Sequence, residues 1–425
     1  MVVEASKQAP CGIHRLLPMT PRYPKLISSV LRRPLSHAVG LIAATSSVAL
    51  AQSPTFQTPG MPNWAASGQI DRFSSDFNPA IGALVDGFGD YVMTDEDDGE
   101  GLDLFLRSFE MTVNGRIDPN WYGYAVVVYS DEEVELEEAA VTYAGFEGNT
   151  TLRFGRFFVD FGKQMQAHIH DLPYPDRPGV LAEYLGEELP GVGAQVDHWW
   201  TTGESSALRA SLGIFSEFEL GGHGEEGSGE PSVAQPERGD ANDLGLTGRI
   251  TQFMDAGKTG VFQWGASARH IGAYSAEDEA SGASIEGLST TTFGLDATYG
   301  FDSDDGLSGW TFGTEYLLAT GDIGAEFDGV GASVLSGDRG GYYAWAERRV
   351  NPQNAYGLLV SSFEHLESAP TDEIQITGYY THFFSEFARL RFAVSHADIE
   401  EAEDSTRFLV QLTTFFGPHA HGVNW

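Results

Sequence analysis

From residue 78 onward, the chain alternates apolar and polar side chains within segments of about ten residues. The alternation is clearest at 290–301, where Phe293, Leu295 and Ala297 are separated by Gly294 and Asp296. Since successive side chains of a strand point to opposite faces, each segment has one apolar and one polar face. This pattern favours strands that separate an apolar surrounding from a polar interior.

The lengths of the connections follow a second pattern. Those after even-numbered segments are short, as at 117–120 and 351–354, whereas 94–101, 163–190 and 219–242 are longer and mostly acidic. Short turns at one end and long loops at the other are typical of an outer-membrane barrel with both termini in the periplasm. We therefore predict an all-β fold, a transmembrane antiparallel up-and-down β-barrel of about 16 strands. The predicted strands are 79–92, 102–115, 121–130, 134–145, 150–161, 191–200, 207–217, 243–253, 260–274, 288–300, 309–320, 341–350, 355–366, 372–383, 387–398 and 405–416.

Two segments fit the alternation less well. In 150–162 the two arginines fall on opposite parities, and 341–349 mixes aromatic residues with Arg348 and Arg349. The strand count is therefore approximate.

The N-terminal residues have the pattern of an export signal. Arg32 and Arg33 precede an apolar run that ends in Ala49-Leu50-Ala51, the arrangement of a secretory signal peptide. We predict a signal peptide at 1–51, with Met19 as an alternative start, and a short periplasmic leader at 52–77. The barrel is expected at 78–417 and a C-terminal tail at 418–425.

Composition excludes some functions. The formal net charge is −37, with only four lysines, so a nucleic-acid partner is not expected. Cys11 is the only cysteine, which rules out an internal disulfide and a thiolate metal cluster.

The polar face predicts a charged interior. Charges that face lipid near the bilayer midplane are costly, so we assign the charged residues of the alternating strands to the lumen. The predicted pore-lining residues are Arg209, Arg249, Arg269, Asp296, Glu315, Arg389 and Arg391, together with Glu110 and Arg407. A water-filled pore is the favoured interpretation, and internal salt bridges in a narrow barrel are the alternative.

The connection at 163–190 is expected to constrict that pore. Glu183, Glu187 and Glu188 on this loop, opposite an arginine-rich wall, would produce a transverse field across the lumen.

The same loop contains a candidate metal site. His168 and His170 are two residues apart and Asp171 is adjacent, a ligand set that suits Zn²⁺. His419 and His421 repeat the spacing in the tail. Hydrogen bonding within a polar loop, and a solvated tail, are the alternatives. We expect no cofactor otherwise.

The sequence contains no G-x-S-x-G elbow and no H-E-x-x-H motif, so we do not expect an enzyme. A barrel enzyme and a purely structural or adhesive barrel stay as alternatives.

Several short motifs resemble those of a bacterial group of porin-like outer-membrane barrels. They are Glu137-Glu138-Ala139, Gly155-Arg156-Phe157 with Phe161-Gly162, His168-Ile169-His170, Pro175, Arg177-Pro178, Gly186-Glu187-Glu188, Gly191-Val192-Gly193 and Phe416-Gly417-Pro418-His419 with His421. Members of the group are often labelled TonB-dependent receptors, some of them zinc-regulated, and others porins. The resemblance implies a porin-like barrel and favours a metal-linked role. The chain has no room for the plug domain of a TonB-dependent receptor.

These observations predict an outer-membrane porin of a Gram-negative bacterium that allows passive diffusion of small hydrophilic solutes or ions. A substrate-specific uptake channel, zinc-linked or TonB-associated, is the alternative. The expected partners are membrane lipid, lipopolysaccharide, the diffusing solutes and, in a homotrimer, two further copies of the chain.

Overall fold

A closed ring of antiparallel strands accommodates the alternation of apolar and polar residues. The computed structural model describes residues 79–94, 100–130, 133–218, 232–236, 240–278, 282–327, 331–366, 371–400 and 404–417. Sixteen strands form the wall, each pairing with the next along the chain, and the last pairs with the first to close the ring. A short additional strand, β8, pairs with β10 outside this sequence of neighbours.

The wall strands are long and the connections on one side are short. The strands are β1 (Ala80–Thr94), β2 (Gly101–Asp118), β3 (Trp121–Ser130), β4 (Glu133–Tyr143), β5 (Thr150–Phe158), β6 (Pro190–Gly203), β7 (Ser206–Phe218), β8 (Ser232–Ala234), β9 (Gly245–Asp255), β10 (Gly260–Asp278), β11 (Ala283–Asp302), β12 (Gly309–Phe327), β13 (Ala332–Asn351), β14 (Asn354–Glu364), β15 (Asp372–Ser385), β16 (Ala388–Ile399) and β17 (Ser405–Phe416). A 3₁₀ turn (Ile169–Asp171) and one helix, α1 (Gly179–Leu185), lie between β5 and β6. The predicted fold class is thus confirmed, and each of the sixteen predicted strands overlaps one strand of the wall.

The two faces of the wall differ in exposure as the alternation requires. Leu212 and Leu295 on the outer face are 71% and 61% exposed, whereas Thr292 and Glu315 on the inner face are buried. An apolar outer face with a polar inner face is the arrangement of a barrel that sits in lipid.

Aromatic residues gather beside the short turns. The Trp121 and Tyr143 ring centroids are 4.8 Å apart, and Phe146 lies edge-on to Tyr143 at 4.9 Å. Phe301, Trp310, Phe384 and Phe387 occupy corresponding positions at other turns on this side. An aromatic girdle at a membrane interface has this composition.

Strands β10 to β13 are longer than the sequence predicted. Each has 19 or 20 residues, against the ~9–11 that cross a bilayer. The acidic segment 275–284, expected as a loop, is therefore mostly strand. At the end of β10, Ser275 and its neighbours also pair with β8, while β11, β12 and β13 continue to pair with their neighbours in the wall.

The predicted signal peptide, leader and tail, at 1–51, 52–77 and 418–425, lie outside the described residues, so these boundaries stay predictions. In the part of the chain that the structure describes, no helix is long and apolar enough to cross a membrane.

Candidate functional site

The connection between β5 and β6, residues 159–189, lies inside the barrel. Arg391 on β16 donates from Nη2 to the Leu172 carbonyl at 2.9 Å, and Val180 N donates to Ser361 Oγ on β14 at 3.2 Å. Further contacts reach β2, β4, β10 and β17. A segment that touches strands all round the ring must occupy its interior. We call residues 159–189 the inner loop.

An apolar face holds α1 in place. Val180, Leu181, Tyr184 and Leu185 have the i, i+1, i+4, i+5 spacing of one helix face, and all four are buried. Gly186 follows the helix with a φ of 87° and a ψ of 163°, a conformation that is open to glycine and rare for other residues. The helix packs against β12, β13 and β14, where the buried apolar side chains include Leu317, Tyr343, Leu359 and Phe363. Each buried apolar side chain contributes about 1.5–3 kcal/mol.

This packing explains the irregular alternation of 341–349. Tyr343 and Trp345 on β13 face inward, where an aqueous lumen would favour polar residues, and both are buried. Trp345 lies edge-on to Tyr174 of the inner loop, with centroids 6.1 Å apart. The wall is apolar here because it contacts protein rather than water.

On the inner faces of β6, β7, β9 and β11, a network of charges holds the start of the inner loop. Arg249 makes a bidentate pair with Asp296, at 2.6 and 3.1 Å, and its Nε lies 3.6 Å from Asp160. Arg209 lies between Asp160 at 2.7 Å and Asp197 at 2.5 Å. All five side chains are buried. Such pairs offset the high cost of burying each charge.

The other predicted lumen residues also point inward. Arg269 donates to the Tyr184 carbonyl at 2.9 Å, and Glu315 accepts from the Tyr343 hydroxyl at 2.9 Å. Arg389 is close enough to Asp171 for electrostatic attraction. Of the predicted pore-lining set, all but Arg389 and Arg407 are at least nine-tenths buried, and many contact the inner loop instead of open water. Their role as pore lining stays a prediction.

A second group of charges remains in contact with water. Arg407 pairs with Asp90 at 2.5 Å and with Asp176 of the inner loop at 3.1 Å. Arg107 pairs with Asp86 and lies 3.7 Å from Asp176, whose side chain is 39% exposed. We call Arg107, Asp176, Arg407 and Glu187 the charged flank. The sequence indicated Arg407 and Glu187 but not Arg107 or Asp176.

The three glutamates of the predicted constriction do not share one face. Glu187 is exposed. Partial burial, followed by repulsion from the nearby Glu188 and Asp176, raises the pKa of its carboxyl group. Glu188 accepts from Ile169 N at 3.3 Å, and burial followed by the nearby Glu137 raises its pKa well above the usual range. Glu183 points instead to the β14–β15 connection. Glu187 is the most exposed of the three, and the constriction by these glutamates stays a prediction.

Glu183 anchors α1 through a histidine. His365 lies between Glu183, 3.3 Å from its Nδ1, and Glu373, 2.9 Å from its Nε2. Hydrogen bonds to Glu183 and then Glu373 raise the pKa of His365 to about 10.

This ion pair predicts a pH-dependent stability. Because the pKa of His365 is higher in the folded state than in the unfolded state, its ion pairs stabilise the fold. This stabilisation is complete below the unfolded pKa of 6.5 and is lost as pH rises through about 10. We expect the urea midpoint of the wild type to fall toward that of His365→Gln between about pH 6 and about pH 11. His382→Gln, which loses a neutral contact to Asn354 at 3.0 Å, is the control. A constant gap between wild type and His365→Gln would contradict the assignment.

A histidine–glutamate cluster occupies another side of the inner loop. His168 contacts Glu137 through Nδ1 at 3.0 Å and Glu138 through Nε2 at 3.2 Å. His170 Nδ1 lies 2.7 Å from Glu110 on β2. The imidazole rings lie 5.5 Å apart and are buried.

A β-bulge turns both glutamates toward the loop. The β3–β4 register places Val126 opposite Glu138 but Val127 opposite Leu136, so Glu137 is the extra residue. In a regular strand, consecutive side chains would point to opposite faces. Bulges re-aim side chains in this way, and here His168 contacts two adjacent carboxylates.

The cluster changes the chemistry of His168. Burial alone would lower its pKa, but attraction and hydrogen bonding to Glu137, then hydrogen bonding to Glu138, raise the pKa well above its usual value. Asp171, the third predicted ligand, lies 3.6 Å from His170 Nε2, on the side away from Glu110. The tail histidines, His419 and His421, lie outside the described residues.

No family model matches the chain. An uncharacterized protein of Aquifex aeolicus is 25% identical over 367 residues, covering 80% of this chain and 73% of that protein.

Solved structures similar to this one share its barrel. OprB of Pseudomonas putida matches with a TM-score of 0.52 at 9% identity, covering 83% of this chain and 96% of that one. An anion-selective porin from Comamonas acidovorans matches with a TM-score of 0.51 at 12% identity, covering 79% and 98%. The fold is that of an outer-membrane porin. A loop-deletion form of OmpT from Vibrio cholerae matches this porin-type barrel equally well, with a TM-score of 0.51 at 11% identity, covering 79% and 98%. The TonB-dependent label gains no support from these similarities.

Proposed function

We propose that the protein is a porin-type channel of the outer membrane, through which small hydrophilic solutes or ions diffuse passively past the inner loop. The observation that carries the proposal is the charged flank. Its Arg107, Asp176, Arg407 and Glu187 side chains retain contact with water inside a barrel whose lumen the inner loop occupies in part. Charged side chains of both signs along a narrow aqueous path orient and select solutes.

The size of the path follows from the packing. A barrel of about 16 strands alone would leave a wide aqueous channel. Here the inner loop buries its apolar and charged faces against most of the wall, so the residual path is narrow. We therefore expect permeation to decline steeply with solute size.

Liposome swelling tests this proposal. Liposomes that contain the purified barrel should swell rapidly in glycerol or arabinose and slowly in disaccharides. Swelling no faster than in protein-free liposomes, for solutes of every size, would contradict the channel.

Glu187 gives a prediction for ion selectivity. Its raised pKa means that the carboxylate is still becoming ionised as pH rises above the ordinary glutamate value of 4.5. We expect the reversal potential across a salt gradient to move toward cation preference with this rise in the wild type, and not in Glu187→Gln. Asp305→Asn, at an exposed turn on the other side of the barrel, is the matched control. Equal pH responses of wild type and Glu187→Gln would exclude Glu187 from the ion path.

A substrate-specific uptake channel is the second candidate, favoured by the narrow charged flank. The similarity to the anion-selective porin of Comamonas acidovorans favours either channel over a barrel enzyme or an adhesive barrel. An exported chain, a homotrimer, and contacts with lipid and lipopolysaccharide belong to this proposal.

A further inference from the structure

The histidine–glutamate cluster brings together ligands from three separate parts of the chain. Glu110 comes from β2, Glu137 from the β4 bulge, and His168 and His170 from the inner loop. One ligand atom each from Glu110, His168 and His170 lies within 4.8 Å of the others, and His168, Glu137 and Glu188 form a second such set. The two sets share His168.

We propose that this cluster binds one divalent transition-metal ion, with Zn²⁺ as the best fit. His168 Nδ1, His170 Nδ1 and a Glu110 oxygen are the principal ligands, and Glu137 is the fourth. Two imidazoles with carboxylates form a common ligand set for Zn²⁺, which binds N and O atoms at about 2.0–2.2 Å in tetrahedral geometry. The 2.7 Å between His170 Nδ1 and Glu110 requires only small side-chain rotations around an ion.

Neighbouring carboxylates orient the imidazoles for this role. Glu138 Oε1 lies 3.2 Å from His168 Nε2, so it can accept the proton there and leave the Nδ1 lone pair for a metal. Asp171 lies 3.6 Å from Nε2 of His170 and is placed to do the same. A carboxylate behind a ligating histidine is the usual arrangement in metal sites. This assigns Asp171, predicted as a ligand, a positioning role.

The charge balance also favours a cation. Five carboxyl groups surround the two imidazoles, from Glu110, Glu137, Glu138, Asp171 and Glu188. Three arginines act on these carboxyl groups: Arg177 lies 4.0 Å from Glu188, Arg389 attracts Asp171, and Arg153 attracts Glu138, so the five groups are compensated only in part. Concentrated negative charge in a buried site is costly unless it is compensated, and a divalent ion compensates it while bonding to the same atoms.

The ion would join the inner loop to β2 and β4. Other sides of the loop are attached by the arginine network and by α1. The proposal concerns only binding and does not depend on conduction, since a barrel can bind Zn²⁺ whether or not solutes pass through it.

Equilibrium dialysis of the purified full-length mature barrel against Zn²⁺, with metal analysis, tests the site. We expect one Zn²⁺ per chain in the wild type. The double variant His168→Ala/His170→Ala should lose this ion. Glu110→Gln, which keeps the side-chain size, should weaken binding at least about tenfold. Migration of unheated samples on gels reports whether each barrel is folded.

Two control variants separate this site from other histidines. His382→Ala/His396→Ala removes two wall histidines that contact Asn354 and Thr406 instead of the cluster. Removal of His419 and His421 tests the tail. Both controls should keep the ion. The proposal is overturned if wild type binds no stoichiometric Zn²⁺, or if the folded His168→Ala/His170→Ala variant keeps it.

Glu138, the carboxylate behind His168, gives a second measurement. Glu138→Gln should keep the ligand set but weaken binding about 10- to 100-fold, as removal of a carboxylate behind a ligating histidine does. The d–d absorption of bound Co²⁺ should keep the pattern of tetrahedral coordination in this variant, and it should vanish in His168→Ala/His170→Ala. An unchanged Zn²⁺ affinity in Glu138→Gln would contradict the assigned orientation of His168.

Discussion

Replacing residues 161–187 with a short Gly/Ser turn should raise the single-channel conductance of the barrel roughly threefold or more. The geometry permits the change because the loop begins and ends at one point, where Val159 N donates to the Leu189 carbonyl at 2.9 Å. The turn leaves β5 and β6 paired. It removes the protein that fills the lumen, so the cross-section open to ions becomes that of the empty ring. Planar-bilayer recordings measure the effect.

A trimmed hairpin outside the lumen is the control for this variant. Removal of residues 304–306, in the exposed turn between β11 and β12, should leave the conductance unchanged. Circular dichroism of both variants establishes that the barrel is folded. Equal conductance of the shortened-loop variant and wild type would contradict the inner loop as the constriction.

Arg249→Ala should reduce the free energy of unfolding by about 3–5 kcal/mol, the largest point effect that we expect. The change leaves Asp296 without its bidentate partner at 2.6 and 3.1 Å and removes an attraction on Asp160 at 3.6 Å. Both carboxylates are buried, so water cannot easily replace the arginine. Urea unfolding followed by tryptophan fluorescence measures the loss.

Lys258→Ala is the matched control, because Lys258 pairs with Asp304 at 2.7 Å where both side chains are exposed. It should change stability by no more than about 0.5 kcal/mol. The double variant Arg249→Ala/Asp296→Ala should be less destabilised than the sum of its single variants, since no buried charge is left opposite an empty position. Additive losses would show that the pair does not act as a unit.

The wall of the barrel could be predicted because it depends on patterns among neighbouring residues in the sequence. Each strand alternates at period two, as Phe293, Leu295 and Ala297 show, and membrane burial enforces that alternation on one face. The alternation of short and long connections then indicated that the strands run up and down in sequence order. Strand ends were less predictable, because β10 to β13 continue to pair beyond the bilayer span.

The interior was less predictable because non-local packing determines it. The inner loop was identified by its histidines, glutamates and prolines, but its apolar contacts decide its position. The spacing of Val180, Leu181, Tyr184 and Leu185 indicates a short amphipathic helix. Read together with the inward aromatics of β13, that spacing could have predicted the apolar packing.

Only part of the histidine–glutamate cluster could be predicted from the sequence. The spacing of His168 and His170 indicated them, and Glu137-Glu138 stood out only as part of a motif. Their meeting depends on a β-bulge and on a loop that crosses the lumen to Glu110, and neither follows from local pattern. Asp171, adjacent in sequence, lies on the other side of His170.

The most direct test of the channel is the current through purified wild-type protein in a planar bilayer at high symmetric salt. The account predicts discrete current steps that scale linearly with voltage, smaller than those of the shortened-loop variant. A folded wild-type barrel that inserts into the bilayer and carries no current would contradict it.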